Sequence, residues 1–153
     1  MIRNFFIFIF SFIPWVLASL IIRDYSYFEY INTPFFTPPK LFFPIIWFIL
    51  YFLIALSITI IISTYKFKNV PFSYKLTLFI NYLFNQSYTF LFFGLKNNFL
   101  GFVSCLGTFI SSLFLYQESL NLNKKSTLLL IPYILFSLFA TILSLTIYFM
   151  NLM

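Results

Sequence analysis

Apolar residues in this chain come in long runs, and each run stops where charged side chains appear. Five stretches contain no Asp, Glu, Lys or Arg: 4–22, 41–65, 76–95, 97–117 and 126–153. Each is long enough to cross a hydrocarbon core of about 30 Å at about 1.5 Å per helical residue. The runs lack the two-residue alternation of a barrel strand. Lipid offers no hydrogen bond to bare backbone, so the runs are expected to be helices, despite a Phe and Ile content that favours strands in water. The spans predicted in this way are about 5–22, 44–65, 76–95, 99–117 and 127–150, with a first connection at 23–43. Pro14, Pro44 and Pro132 fall near the beginnings of spans or inside them, where membrane helices tolerate proline as a first-turn residue or a kink. The first run also has features of a secretory signal, with Arg3 ahead of it and small residues at Ala18 and Ser19. A single basic residue before so long a run favours a retained span.

Composition sharpens the class. Of 153 residues, 62% are hydrophobic, 25% aromatic and only 8% charged, against about 25% charged in an ordinary globular domain. That leaves too little polar surface to face water. The expectation is a single all-α integral membrane domain over 1–153, a bundle of five transmembrane helices within the lipid bilayer. The chain has no His, which excludes a Ser-His-Asp triad, a Cys-His pair, a His-based zinc helix and haem ligation by His. Cys105 is alone, so no intrachain disulfide, Cys-x-x-Cys pair or cysteine metal cluster is expected. The carboxylates are Asp24, Glu29 and Glu118, none inside a long apolar run, so hydrolytic acid–base chemistry is not expected either. The net charge of +6 is scattered over the connections and forms no stripe, which speaks against a nucleic-acid partner.

The scattered cations predict orientation instead. Arg3, Lys66, Lys68, Lys75, Lys124 and Lys125 collect on one side of a five-span chain, and Arg23, Lys40 and Lys96 on the other. The positive-inside bias then puts the amino terminus in the cytoplasm, and the carboxyl terminus and first connection on the extracytoplasmic face. That connection is stiffened by Pro34 and Thr37-Pro38-Pro39 and carries Tyr25, Tyr27, Phe28, Tyr30, Phe35 and Phe36. It reads equally as a lid over the helix ends or as an interfacial aromatic belt.

Two helical faces mix rings with amides. Asn81, Asn85, Tyr88 and Phe92 recur on one face of the third span, and Trp47, Tyr51 and Ile54 on one face of the second. Amides in hydrocarbon are costly unless paired, so Asn81 and Asn85 face protein, water or ligand. Pairing between helices and a ligand cavity both satisfy that requirement. Trp47, four residues into its span, fits a headgroup-level anchor as well as a cavity wall. Gly101, Ser104, Cys105, Thr108, Ser111 and Ser112 form a small-residue stripe on the fourth span, with Ala140 and Ser144 on the fifth. Such stripes let backbones approach closely and read as packing seams. Gly94, after Phe92-Phe93, is expected to let the chain turn out of the third helix.

Pro34, Thr37-Pro38-Pro39, Pro44, Trp47 and Tyr51 stand in the pattern P-x-x-T-P-P-x(4)-P-x-x-W-x-x-x-Y. Asn85, Phe92-Phe93-Gly94, Leu130-Ile131-Pro132-Tyr133 and Phe139-Ala140 follow in order. Together they resemble the TspO/MBR family, the tryptophan-rich sensory or translocator proteins, over nearly the whole chain. The resemblance implies a five-helix bundle, often a homodimer, that binds porphyrins and, in animal relatives, cholesterol and benzodiazepine-type drugs. It implies ligand-cavity roles for Trp47, Tyr51, Asn85, Tyr88, Phe136 and Ala140, with Phe28 reaching in from the first connection. Phe28, Phe36, Tyr88 and Phe136 stand where many relatives have Trp or Tyr; at the three phenylalanines the stackable ring is kept and the donor is lost. Tyr148 is followed by no Lys or Arg, which disfavours cholesterol as the native ligand.

The function expected on these grounds is a regulatory receptor or sensor for porphyrin-type tetrapyrroles and other planar apolar molecules, with no resident cofactor, metal or catalytic residue. The alternative is a light-dependent porphyrin-degrading enzyme, whose chemistry would run near Trp, although the indoles here are only Trp15 and Trp47. A tetrapyrrole transporter ranks third, because no charge lies inside any span.

Overall fold

The computed structural model describes residues 2–21 and 26–152. Ile22 at the end of the first predicted span and Arg23, Asp24 and Tyr25 of the first connection lie outside the described residues, as do Met1, Met153 and the side chains of Ala18, Ser19, Leu20 and Ile21. Among the described residues the chain is helical without strands. Five long helices are α1 (Ile2–Ile21), α2 (Phe42–Tyr65), α3 (Phe72–Tyr88), α4 (Asn98–Leu122) and α6 (Ile131–Met150), with a short α5 (Lys124–Leu128) before the last. Three segments, Phe42–Tyr65, Asn98–Leu122 and Lys124–Met150, are each long and apolar enough to cross a membrane. α3 is less apolar because it carries Asn81, Asn85, Gln86 and Ser87, and these polar groups are turned into the bundle.

Helix boundaries and charge boundaries do not coincide. α3 begins at Phe72, ahead of Lys75, and α4 continues through Glu118 to Leu122. Charged residues mark where hydrocarbon ends, while backbone hydrogen bonding carries the helix on into the headgroup region. Capping decides the real ends: the Asn97 side chain accepts from Leu100 N–H to start α4, and Asn123 accepts from Lys125 and Ser126 N–H to start α5. The prolines sit where their missing N–H costs least, with Pro71 at the cap of α3 and Pro132 in the first turn of α6. Pro14 is the exception, inside α1. There α3 side chains donate across the gap, Tyr82 Oη to the Pro14 carbonyl at 3.2 Å and Gln86 Nε2 to the Trp15 carbonyl at 3.3 Å.

The end of α3 differs from expectation. Thr89–Gly94 is a π-helical turn, closed by Leu95 N–H to the Phe90 carbonyl at 2.9 Å. The left-handed residue that reverses the chain is Lys96 (φ 51°), not Gly94. Phe92, with no exposed surface, lies within this wider turn and in the core.

α1 packs along α2, α3 along α4, and α4 along α6, whereas α1 meets α3 and α2 meets α6 only lightly. Small residues make the tight seams. Ser104 Oγ donates to the Phe84 carbonyl at 2.7 Å and lies 2.9 Å from Ser87 Oγ. Asn81, fully buried, donates to the Thr108 carbonyl at 3.0 Å and to Ser111 Oγ at 2.9 Å. On α5, Ser126 Oγ lies 2.7 Å from Ser57 Oγ and donates to the Ser57 carbonyl at 3.1 Å, tying the last connection to α2. In lipid these bonds and close contacts replace the hydrophobic drive that water would supply.

Candidate functional site

The first connection folds across one end of the bundle. A 3-10 turn at Ser26–Glu29 sends Tyr27 and Phe28 inward, while Phe35 is fully exposed and Tyr30 is 79% exposed. One set of the segment's rings thus packs against the bundle while another faces the surroundings. It is tied down at two places. Tyr27 Oη donates to Asn98 Oδ1 at 2.9 Å. Asn32 N–H donates to Asn151 Oδ1, and Asn151 Nδ2 returns a bond to the Asn32 carbonyl, both at 2.9 Å. Burial raises the Tyr27 phenol above the usual range, the bond with Asn98 acting in the opposite direction.

Beneath it lies an aromatic plug. Phe92 is surrounded by Tyr27 (5.4 Å between ring centroids), Phe28 (5.5 Å), Tyr88 (5.2 Å, nearly parallel) and Phe93 (5.0 Å). Two expected site residues, Phe28 and Tyr88, thus meet at this plug. Three others gather deeper, with Trp47 at 5.5 Å from Tyr51 and 5.4 Å from Phe136. Asn85 is joined to them by the Tyr51 hydroxyl, which donates to Asn85 Oδ1 at 2.9 Å. Ala140 is half-buried on α6, one turn beyond Phe136.

Trp47 and Asn85 are therefore not across open space from each other: Tyr51 stands between them, its ring on the indole and its hydroxyl on the amide. Asn85 Oδ1 also accepts from Gln86 Nε2 at 3.0 Å. Opening is available to the side. A hollow of about 410 Å³ runs along the light α2–α6 seam, walled by Ile46, Leu50, Leu135, Phe136 and Phe139. It lies within the usual range for small-molecule sites, about 300–1,000 Å³. Phe136 forms its inner wall and touches Trp47, so the hollow adjoins the deeper ring cluster.

Two residues to which the sequence assigned no place in the cavity organise this cluster. Tyr133, fully buried, donates to Asn81 Oδ1 at 2.9 Å and lies 3.4 Å from Asn85 Nδ2, linking α6 to both amides of α3. Its place directly after Pro132 marks it as a first-turn residue, but nothing in the pattern says which way it faces. Trp15, 2% exposed, packs against Tyr51 (5.7 Å), Tyr82 (5.3 Å) and Tyr133 (6.5 Å). Its burial follows from Pro14 and the bonds that α3 makes to that turn.

The model of the TspO/MBR family matches residues 5–150. The chain belongs to this family. Family members among curated proteins include the tryptophan-rich protein TspO of Bacillus cereus, 44% identical over 128 residues (84% of this chain and 82% of that protein). Another TspO, from Archaeoglobus fulgidus, is 33% identical over 125 residues, 79% of this chain and 77% of its own length. The membrane protein YtaB of Bacillus subtilis is 36% identical over 129 residues, 84% and 83% of the two chains. With its long apolar helices, this TspO/MBR member is an all-α membrane protein housed in a lipid bilayer.

Proposed function

We infer that this chain is a regulatory membrane receptor for porphyrin-type tetrapyrroles and related planar apolar ligands, bound among α2, α3 and α6 beneath the first connection. The observation that carries the reading is the ring cluster of Trp47, Tyr51 and Phe136, joined to the Asn85 amide through the Tyr51 hydroxyl. A ring-walled space with one placed polar group is what a flat, largely apolar ligand needs. The geometry described is closed, and a ligand entering along the α2–α6 seam would part Tyr51 from Asn85 and take over the amide. Membership of the family supports the ligand class by resemblance.

The second reading, light-driven porphyrin breakdown, draws on one observation: the chain's two indoles flank the same ring, Trp15 and Trp47 lying 5.7 and 5.5 Å from Tyr51. Titration with protoporphyrin in darkness, followed by illumination, separates the two. In the dark, a saturable spectral shift without a new product is expected, since no His is present to move protons. Conversion in light to a defined product, faster than in Trp47→Phe protein, makes the enzyme the better reading; absence of saturable binding removes both.

The orientation and oligomeric state complete the proposal. The amino terminus is cytoplasmic, the carboxyl terminus extracytoplasmic, and the receptor is a homodimer. A reporter that is active only in the cytoplasm should stay silent when fused after Met153. A bright fusion inverts the bundle in the membrane.

A further inference from the structure

At the end of the bundle opposite the first connection, a second hollow of about 660 Å³ opens between α1, α2 and α3. Its walls are apolar apart from Arg3 and Lys75 at the mouth, and Ser11 and Tyr82 deeper in. Trp15 at its floor also packs against Tyr51, but Trp47, Tyr51, Asn85 and Phe136 do not line it. It follows the seam where α1 and α3 touch only lightly, from Arg3 down to Trp15. The twelve residue steps from Arg3 to Trp15 cover about 18 Å along the axis, slightly more than half of a hydrocarbon core of about 30 Å. The hollow thus begins at headgroup level and ends near the bilayer midplane, the depth reached by an acyl chain of one leaflet.

The charges at the mouth decide which lipid. Among the described residues the one ion pair is Lys40–Glu29, at the other end of the molecule. Arg3 makes a long contact, 3.5 Å, to the Ser63 carbonyl, and Lys75 Nζ lies 5.2 Å from the Phe67 ring centroid. Two cations with no carboxylate partner among the described residues therefore frame an apolar slot. A zwitterionic headgroup brings its own cation to that mouth and gains little, whereas a headgroup of net negative charge neutralises both side chains. We propose that this groove is a binding site for an anionic phospholipid, its phosphate between Arg3 and Lys75 and one acyl chain lying along α1 and α3 to Trp15. The site is separate from the tetrapyrrole reading and stands or falls without it.

Trp15 reports on the floor of the groove. In a Trp47→Phe background it is the remaining tryptophan, so its fluorescence can be quenched in bilayers by lipids with brominated acyl chains. Brominated phosphatidylglycerol should reach half-maximal quenching at a mole fraction roughly fivefold or more below that of brominated phosphatidylcholine, given the usual gain per basic residue at an anionic headgroup. Arg3→Gln with Lys75→Gln should bring the two curves together, while Arg3→Lys with Lys75→Arg should keep them apart. Lys124→Gln with Lys125→Gln is the control, removing equal charge from the connection between α4 and α6, outside the groove. Coincident curves in the parent, a preference that survives the Gln pair, or one lost equally in the control would overturn the proposal. So would failure of both lipids to quench Trp15, the result expected if a second copy of the chain covered the groove.

Discussion

Gly101→Ala is expected to destabilise the bundle by about 1–3 kcal/mol, the usual range for overpacking a well-filled core. The reason lies in what the new methyl meets. A Cβ at Gly101 would lie 2.5 Å from Phe92 Cδ2 and 3.1 Å from Phe92 Cβ. Turning the ring relieves the first contact but not the second, and the ring has nowhere to turn: it is fully buried among Tyr27, Phe28, Tyr88 and Phe93. Relief must come from moving α4 away from the π-helical turn, which also displaces the rings that hold the first connection. Gly107 is the informative comparison. Its added methyl would overlap the Phe84 ring, but Phe84 is 38% exposed at the bundle surface and can swing outward. Thermal loss of helicity in detergent should therefore occur earlier for Gly101→Ala than for Gly107→Ala, with the parent highest. A Gly107→Ala protein as unstable as the Gly101 variant would place the packing constraint along the whole α3–α4 seam rather than at Phe92.

Particular residues show what was readable from the chain alone. The helices and their inward faces were legible because lipid removes the alternatives: backbone must pair with itself, and amides such as Asn81 must turn away from hydrocarbon. Asn81, Asn85 and Phe92 are indeed buried on one side of the third helix. The family was legible through Pro34, Thr37-Pro38-Pro39, Pro44, Trp47 and Tyr51, whose spacing spans the first connection and the start of α2.

Other features left no mark in the residue pattern. A π-helical turn differs from an α-helical one by a single inserted residue, and Thr-Phe-Leu-Phe-Phe-Gly carries no signal for it. With that turn in place Gly94 is not needed in the left-handed region, which passes to Lys96. Helix ends in headgroup territory were equally hidden, because apolarity gives out before hydrogen bonding does. At the candidate site the pattern told which residues share a face, but not that the Tyr51 ring fills the space between Trp47 and Asn85. Side-chain direction across a helix pair depends on how far α2 stands from α3, and no single-helix periodicity reports it. Tyr133 was missed for the same reason.

Trp47→Ala is expected to weaken tetrapyrrole binding by about 1–2 kcal/mol, a factor of roughly 5 to 30 in Kd, if stacking on the indole contributes as buried aromatic contacts usually do. Asn85→Leu should weaken it as well, since bulk is kept while the polar group offered to the ligand is lost. Tyr51→Phe tests the closed arrangement directly. It keeps the ring against Trp47 but removes the hydroxyl that occupies Asn85 Oδ1 at 2.9 Å. A ligand that must displace that hydroxyl would then find one of the two bonds to Asn85 Oδ1 already gone, the one from Gln86 Nε2 remaining, so Tyr51→Phe should bind as tightly as the parent or tighter. Phe149→Ala is the matched control: its side chain is 60% exposed in the last turn of α6, away from the ring cluster, and its loss should leave affinity unchanged. Ligand absorbance in detergent is the appropriate readout, because Trp47→Ala removes one of the two tryptophans. If Trp47→Ala and Asn85→Leu both bind like the parent while remaining folded, Trp47 is an interfacial anchor and Asn85 a helix-pairing amide. If Tyr51→Phe weakens binding as much as Trp47→Ala, the phenol is itself a ligand contact, and the seam between α2 and α6 opens without breaking the Tyr51–Asn85 bond.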